Sequence, residues 1–192
     1  VMHTLKNDIL TVEVSGHGAE LTSIRKGSTE YLWQADPAFW GRHSPVLFPI
    51  VGSVWEKRYR VGGREYGLGQ HGFARDMDFS MVSSSDAEVR YRLESSVETH
   101  EKYPWPFALE IAYRLHDNKL DVIWEVENPV TEDMYFQIGA HPAFNYPDYD
   151  PNHYGAVDSS LWNNFAVNGL YEPGSTFKIV TTAMALEERV ST

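Results

Sequence analysis

The first 140 residues break into short alternating runs closed by turn residues, and that rhythm restricts the chain to a β-rich fold. Residues 9–14 (I-L-T-V-E-V) alternate, and Ser15-Gly16-His17-Gly18 turns them into a second run, 19–25. Residues 31–34 read as a short aromatic strand ending before Asp36-Pro37. Residues 46–51 are apolar but interrupted by Pro49; a proline has no amide proton to donate to a ladder, so an edge strand or extended segment is expected there. Residues 59–61 and 64–67 flank Gly62-Gly63, a hairpin signal. Residues 78–82, 88–94, 107–115 and 119–127 continue the pattern, the last two joined by His116-Asp117-Asn118. No helix of ordinary length is expected before residue 150. The spacing predicts a mainly β chain built as an antiparallel β-sandwich.

After Tyr146 the character changes. Residues 147–152 (P-D-Y-D-P-N) read as a turn-rich linker, and 159–169 are polar and irregular. Residues 175–188 (S-T-F-K-I-V-T-T-A-M-A-L-E-E) then predict one helix, with Pro173-Gly174 before it and Phe177, Val180 and Met184 close to one face. Two parts are therefore expected: a β-sandwich portion over 1–146 and a C-terminal helical tail over 147–192.

With 192 residues the chain can bury one good core. A net charge of −11 repels phosphate backbones and anionic lipid heads, so neither nucleic acid nor a membrane surface is an expected partner. The absence of cysteine excludes a disulfide framework and any Cys-based metal site or nucleophile, and it permits a reducing compartment, taken here as cytoplasmic. No signal peptide or apolar run of membrane-spanning length is evident. The aromatic share of 14% suits a strand-rich core, and aromatic faces also suit sugar rings, whose C–H groups pack on them.

Two histidines stand in tight, small-residue settings: His71 in Q-H-G-F-A-R and His141 in G-A-H-P-A-F. Pro142 biases His141 toward an extended backbone, and Gly72 lets another group approach His71 closely. Imidazole is the side chain best matched to giving and taking protons near neutrality. From the residues alone, acid–base chemistry and a structural hydrogen-bonding role both remain open. A third motif, E-P-G-S-T-F-K, places Ser175 and Lys178 one helical turn apart, where a lysine could ease deprotonation of a serine nucleophile.

Over residues 5–147 the chain resembles the aldose 1-epimerase (galactose mutarotase-like) family. The likeness runs through G-A-E-L at 18–21, E-Y-L-W at 30–33, S-P-V-L-F-P at 44–49, H-G-F-A-R at 71–75, Y-P-W-P-F at 103–107 and I-G-A-H-P-A-F at 138–144. The resemblance implies a large antiparallel β-sandwich that interconverts the α and β anomers of a free hexose, with no metal and no cofactor. It implies His141 as the acid toward the ring oxygen, His71 as a holder of a sugar oxygen, and Arg75 as a substrate contact; an ion pair of Arg75 with Asp76 or Asp78 is the alternative. Ser53 stands where many members carry an arginine. The family's catalytic glutamate lies well downstream of the second histidine, and after about Pro147 no counterpart is found. Mutarotation is therefore expected to be impaired, with sugar binding free of catalysis as the alternative, and an uncovered sheet edge is expected to favour self-association.

Residues 147–190 resemble a different family, the transpeptidase domain of penicillin-binding proteins. The likeness rests on D-P-N at 150–152, N-N-F-A-V at 163–167, Y-E-P-G-S-T-F-K at 171–178 and A-M-A-L-E-E at 183–188. It implies acylation of Ser175 with Lys178 as its partner, although the later motifs of that domain are missing. A hybrid chain is expected.

Overall fold

Alternation of buried and exposed residues defines the strands. A computed structural model describes residues 2–145; the linker, the helix expected at 175–188, Ser175 and Lys178 lie outside the described residues. The strands are β1 (Met2–Lys6), β2 (Thr11–Ser15), β3 (Leu21–Lys26), β4 (Thr29–Glu30), β5 (Val46–Leu47), β6 (Arg58–Val61), β7 (Arg64–Gly67), β8 (Ser80–Ser84) and β9 (Glu88–Glu94). A six-residue helix, α1 (Val97–Lys102), precedes β10 (Ala108–His116), β11 (Lys119–Glu127) and β12 (Gly139–Ala140). One four-stranded antiparallel sheet runs β1-β2-β3-β4 and a second runs β11-β10-β9-β8, with β12-β5 and β6-β7 as two-stranded pieces.

The two larger sheets share one core. Leu5, Val12, Val14 and Leu21 from the first pack in the same cluster as Val89, Tyr91, Leu109, Ile111 and Tyr113 from the second. The fully buried Tyr113 hydroxyl donates to the Ala19 carbonyl at 2.7 Å, a polar tie to the β2–β3 turn. Phe48, Phe73, Tyr103 and Phe107 extend the core as an aromatic knot, with ring centroids 5.0–6.4 Å apart. This is the mainly β, antiparallel architecture that the alternating runs predict.

Several local expectations need correction. Residues 31–34 form no strand: the ladder stops at Glu30, and Leu32 makes only an isolated bridge to Phe144. The 46–51 run, expected as an edge strand or extended segment, pairs as a strand only at Val46–Leu47, and the chain beyond is recruited by single contacts from two other segments. Helix α1 was not anticipated. Ser96 accepts from the Thr99 amide while the Thr99 hydroxyl accepts from the Ser96 amide, a capping box that closes so short a helix at its start. The β6–β7 hairpin forms as expected, with Gly62 and Gly63 both at positive φ (55° and 82°), the conformation that its two-residue turn demands. Among the described residues no helix is long and apolar enough to cross a membrane.

Candidate functional site

The stretch 45–52 is the scaffold of the site. On one side Ala140 pairs with Val46, and the His141 amide donates to the Pro45 carbonyl at 3.1 Å. On the other, the Phe48 carbonyl accepts from the Phe73 and Ala74 amides, and Gly72 bridges Phe48 in parallel. A Cβ at Gly72 would stand 2.1 Å from the Phe48 oxygen, so that approach requires glycine. Two histidines far apart in the chain are thereby brought to one place, their ring centroids 6.3 Å apart and their planes at 55°.

His71 is held at both ends. Its amide donates to the Gly52 carbonyl at 2.7 Å, and the Gly52 amide donates back to its Nδ1 at 3.0 Å. With Nδ1 occupied as an acceptor, the neutral ring carries its proton on Nε2. Partial burial lowers the His71 pKa from 6.5, and the Arg75 guanidinium and then His141 lower it further. The backbone of His71 is left-handed, with φ 65°, a conformation that costs a non-glycine residue on the order of 1–2 kcal/mol. Such strain persists where surrounding contacts over-determine it, and functional sites are where it collects.

His141 follows β12 directly and is exposed. Its ring lies 5.2 Å from that of Trp40 at 52°. Trp40 is placed by a loop that folds on itself: its amide donates to the Asp36 carbonyl, and its own carbonyl accepts from the Trp33 indole at 2.8 Å. The Trp33 amide in turn donates to the Ala143 carbonyl. Trp40 was not singled out in the sequence, where its only signal is its position after the Asp36-Pro37 turn.

Arg75 is largely buried, and one of its terminal nitrogens donates to the Gln70 carbonyl at 2.8 Å. Its Nε lies 3.7 Å from Asp76 and has no hydrogen-bond partner. Asp76 is engaged mainly by Arg42 at 2.7 Å, and Asp78 pairs with His17 rather than with Arg75. Burial first, then the neighbouring Arg42, lowers the Arg75 pKa, although a guanidinium remains charged. Ser53 is exposed, next to the Gly52 that seats His71.

Carboxylates pair with His17 and His116, but among the described residues none pairs with His71 or His141. Glu20 accepts the His43 and Ser44 amides at 2.9 and 2.8 Å, which holds the loop leading into 45–52. No group of three or more potential metal ligands occurs among the described residues. A separate cleft of about 310 Å³ opens beside the same scaffold, lined by Pro49, Ile50, Tyr103, Trp105, Tyr135 and Phe136. The arrangement supplies two neighbouring imidazoles and a partly buried cation, which suits proton transfer at a neutral polar ligand.

Solved structures share this arrangement of strands. A galactose mutarotase related enzyme from Lactobacillus acidophilus superposes with a TM-score of 0.75 at 40% identity, over 77% of this chain and 50% of its own. A galactose mutarotase-like protein from Lactobacillus casei gives 0.73 at 39% identity, over 76% of this chain and 50% of its own. The aldose 1-epimerase family profile matches residues 2–162, and the chain belongs to that family. A curated relative, the chromosomal protein LacX of Lactococcus lactis, is 38% identical over 184 residues, spanning 88% of this chain and 61% of its own length. The chain thus spans about three-fifths of this curated relative and half of the solved ones.

A second profile, the transpeptidase domain of penicillin-binding proteins, matches residues 142–192. There the chain is 59% identical over 44 residues to stage V sporulation protein D of Bacillus subtilis, 7% of that protein. The two matches overlap over 142–162, so family similarity extends past Pro147.

Proposed function

We propose that residues 2–145 carry the acid half of an aldose 1-epimerase site, which takes a free hexose as its ligand. In this reading His141 protonates the ring oxygen, while His71 donates from Nε2 to a neighbouring sugar oxygen and Arg75 contacts the substrate. Proton donation to the ring oxygen must be matched by proton removal from the anomeric hydroxyl; the bond between C1 and the ring oxygen then breaks as the aldehyde forms, C1 rotates, and the ring recloses on its other face. The single observation that carries the reading is the 6.3 Å approach of two imidazoles across the 45–52 scaffold, in a chain of this family.

The base is the part that the described residues do not supply beside the rings, and loss of such a partner costs about 10²–10⁴ in rate. Mutarotation by this chain is therefore expected to be weak. Anomer exchange of glucose or galactose, followed by polarimetry or NMR, should be accelerated only at high protein concentration and should return to the buffer rate in His141→Ala. Strong catalysis at trace concentration would show that a base is in place; acceleration that survives His141→Ala would remove His141 as the acid. The absence of a carboxylate beside the rings among the described residues favours a second reading, sugar binding without anomerisation, which titration with both sugars would reveal.

A third reading assigns acylation to Ser175 with Lys178. The match extends over only 44 residues of a much longer relative. A fluorescent penicillin is accordingly expected to leave the chain unlabelled, and labelling lost in Ser175→Ala would establish the acylation site.

A further inference from the structure

We propose that Trp40 is the positioning residue of His141: the indole forms a platform that sets the imidazole plane on the side of the ring shared with His71. The inference rests on the proposed role of His141. The two histidines are oriented by different physics. His71 is tied by a pair of hydrogen bonds to Gly52, one of them to its own ring nitrogen. His141 has a backbone tie to Pro45, but among the described residues no side-chain hydrogen bond reaches its imidazole. The Trp40 ring, 5.2 Å away and tilted by 52°, is the aromatic partner nearest to it; His71 stands at 6.3 Å.

This difference has chemical meaning. A hydrogen-bonded partner would commit one ring nitrogen and select a tautomer, as Gly52 does for His71. An aromatic contact restrains the ring while leaving both nitrogens available, and such edge or tilted contacts between rings are favourable on their own. An acid that must release and regain a proton keeps its seat in both states if that seat is apolar. The platform is itself well anchored, since Trp40 is fixed through its amide by Asp36 and through its carbonyl by Trp33. Trp33 is in turn bonded to Ala143, two residues beyond the histidine, so platform and acid belong to one hydrogen-bonded unit.

The test is NMR of the full chain, recorded without sugar, alongside Trp40→Ala and Trp40→Phe. In the wild type, His141 ring protons should show a cross-relaxation contact with the Trp40 indole and an upfield ring-current displacement relative to the exposed His17 and His116. In Trp40→Ala both should disappear, and Trp40→Phe should restore most of the displacement. Where anomer exchange is measurable, kcat should fall about tenfold or more in Trp40→Ala with KM within about twofold, and recover in Trp40→Phe, because misplacement of a reacting group by about 1 Å can cost on the order of 10²-fold. Absence of the contact in the wild type, unchanged His141 resonances in a folded Trp40→Ala, or an unchanged kcat would overturn the proposal. The wild-type contact decides even if Trp40→Ala does not fold. The spectroscopic arm needs no turnover, so a chain without mutarotation still answers the question.

Discussion

At His71 backbone and side chain pull in different directions. The left-handed φ of 65° disfavours an ordinary side chain, yet imidazole is retained and bonded at both ends to Gly52. Asparagine tolerates this backbone region well, so His71→Asn should fold with stability within about 1 kcal/mol of the parent while losing the imidazole. The sign of its pH dependence follows from the lowered pKa. Between the folded value and 6.5 the folded chain binds fewer protons than the unfolded one, so stability rises with pH across that window and the gain is complete above 6.5. His71→Asn should flatten this rise, as thermal melts at successive pH values would show; an equal slope in both proteins would place the titration elsewhere.

At the scale of elements, β9, β10 and β11 show how register sorts side chains. Ile111 stands opposite Tyr91 and Trp124, and Tyr113 opposite Val89 and Val122, which builds an apolar face. The intervening positions place Glu110 between Arg92 and Glu125 on the other face. Glu110 accepts from Arg90 and Arg92, both at 2.8 Å. These bonds, Arg90 foremost, hold its carboxyl below the usual 4.5. A depressed carboxylate contributes stability above its unfolded pKa and loses that contribution as pH falls through the folded one. Glu110→Gln should therefore be less stable than the parent at pH 6 and should converge with it in acid; a constant difference down to pH 2 would contradict the assignment. The strands 88–94 and 119–127 were legible to the residue, because alternation with a hairpin turn between regular partners leaves little freedom. Residues 31–34 and 48–51 were less so, because many of their partners lie far along the chain, at 72–74 and beyond 135, and their hydrogen bonds are made singly rather than in ladders.

For the molecule as a whole, the second large sheet raises the question of what adjoins it. Among the described residues β11 pairs on one side only, and Val122 and Trp124, on the face that elsewhere lines the core, are 44% and 36% exposed. An exposed edge beside an apolar face favours self-association. A net charge of −11 opposes it at long range, and salt screens that repulsion, with a Debye length of about 10 Å at 0.1 M. Sedimentation velocity should accordingly detect dimers or larger species that increase with salt, and Trp124→Thr should shift the population toward monomer. A single monomeric species across both proteins and all salt concentrations would show that this face is covered.

Alternating runs, turn residues and the spacing between them are local properties, and by themselves they determined that the chain is mainly β, where its regular hairpins lie, and which two histidines stand in tight, small-residue settings. Local sequence carries no information on distances between segments that are remote along the chain. Only the tertiary structure decided that the stretch 45–52 would hold His71 on one side and His141 on the other, that Trp40 would lie against the second ring, and that Arg75 would share Asp76 with Arg42. The physical reason is that single contacts between distant segments leave no periodic trace in the segments that make them.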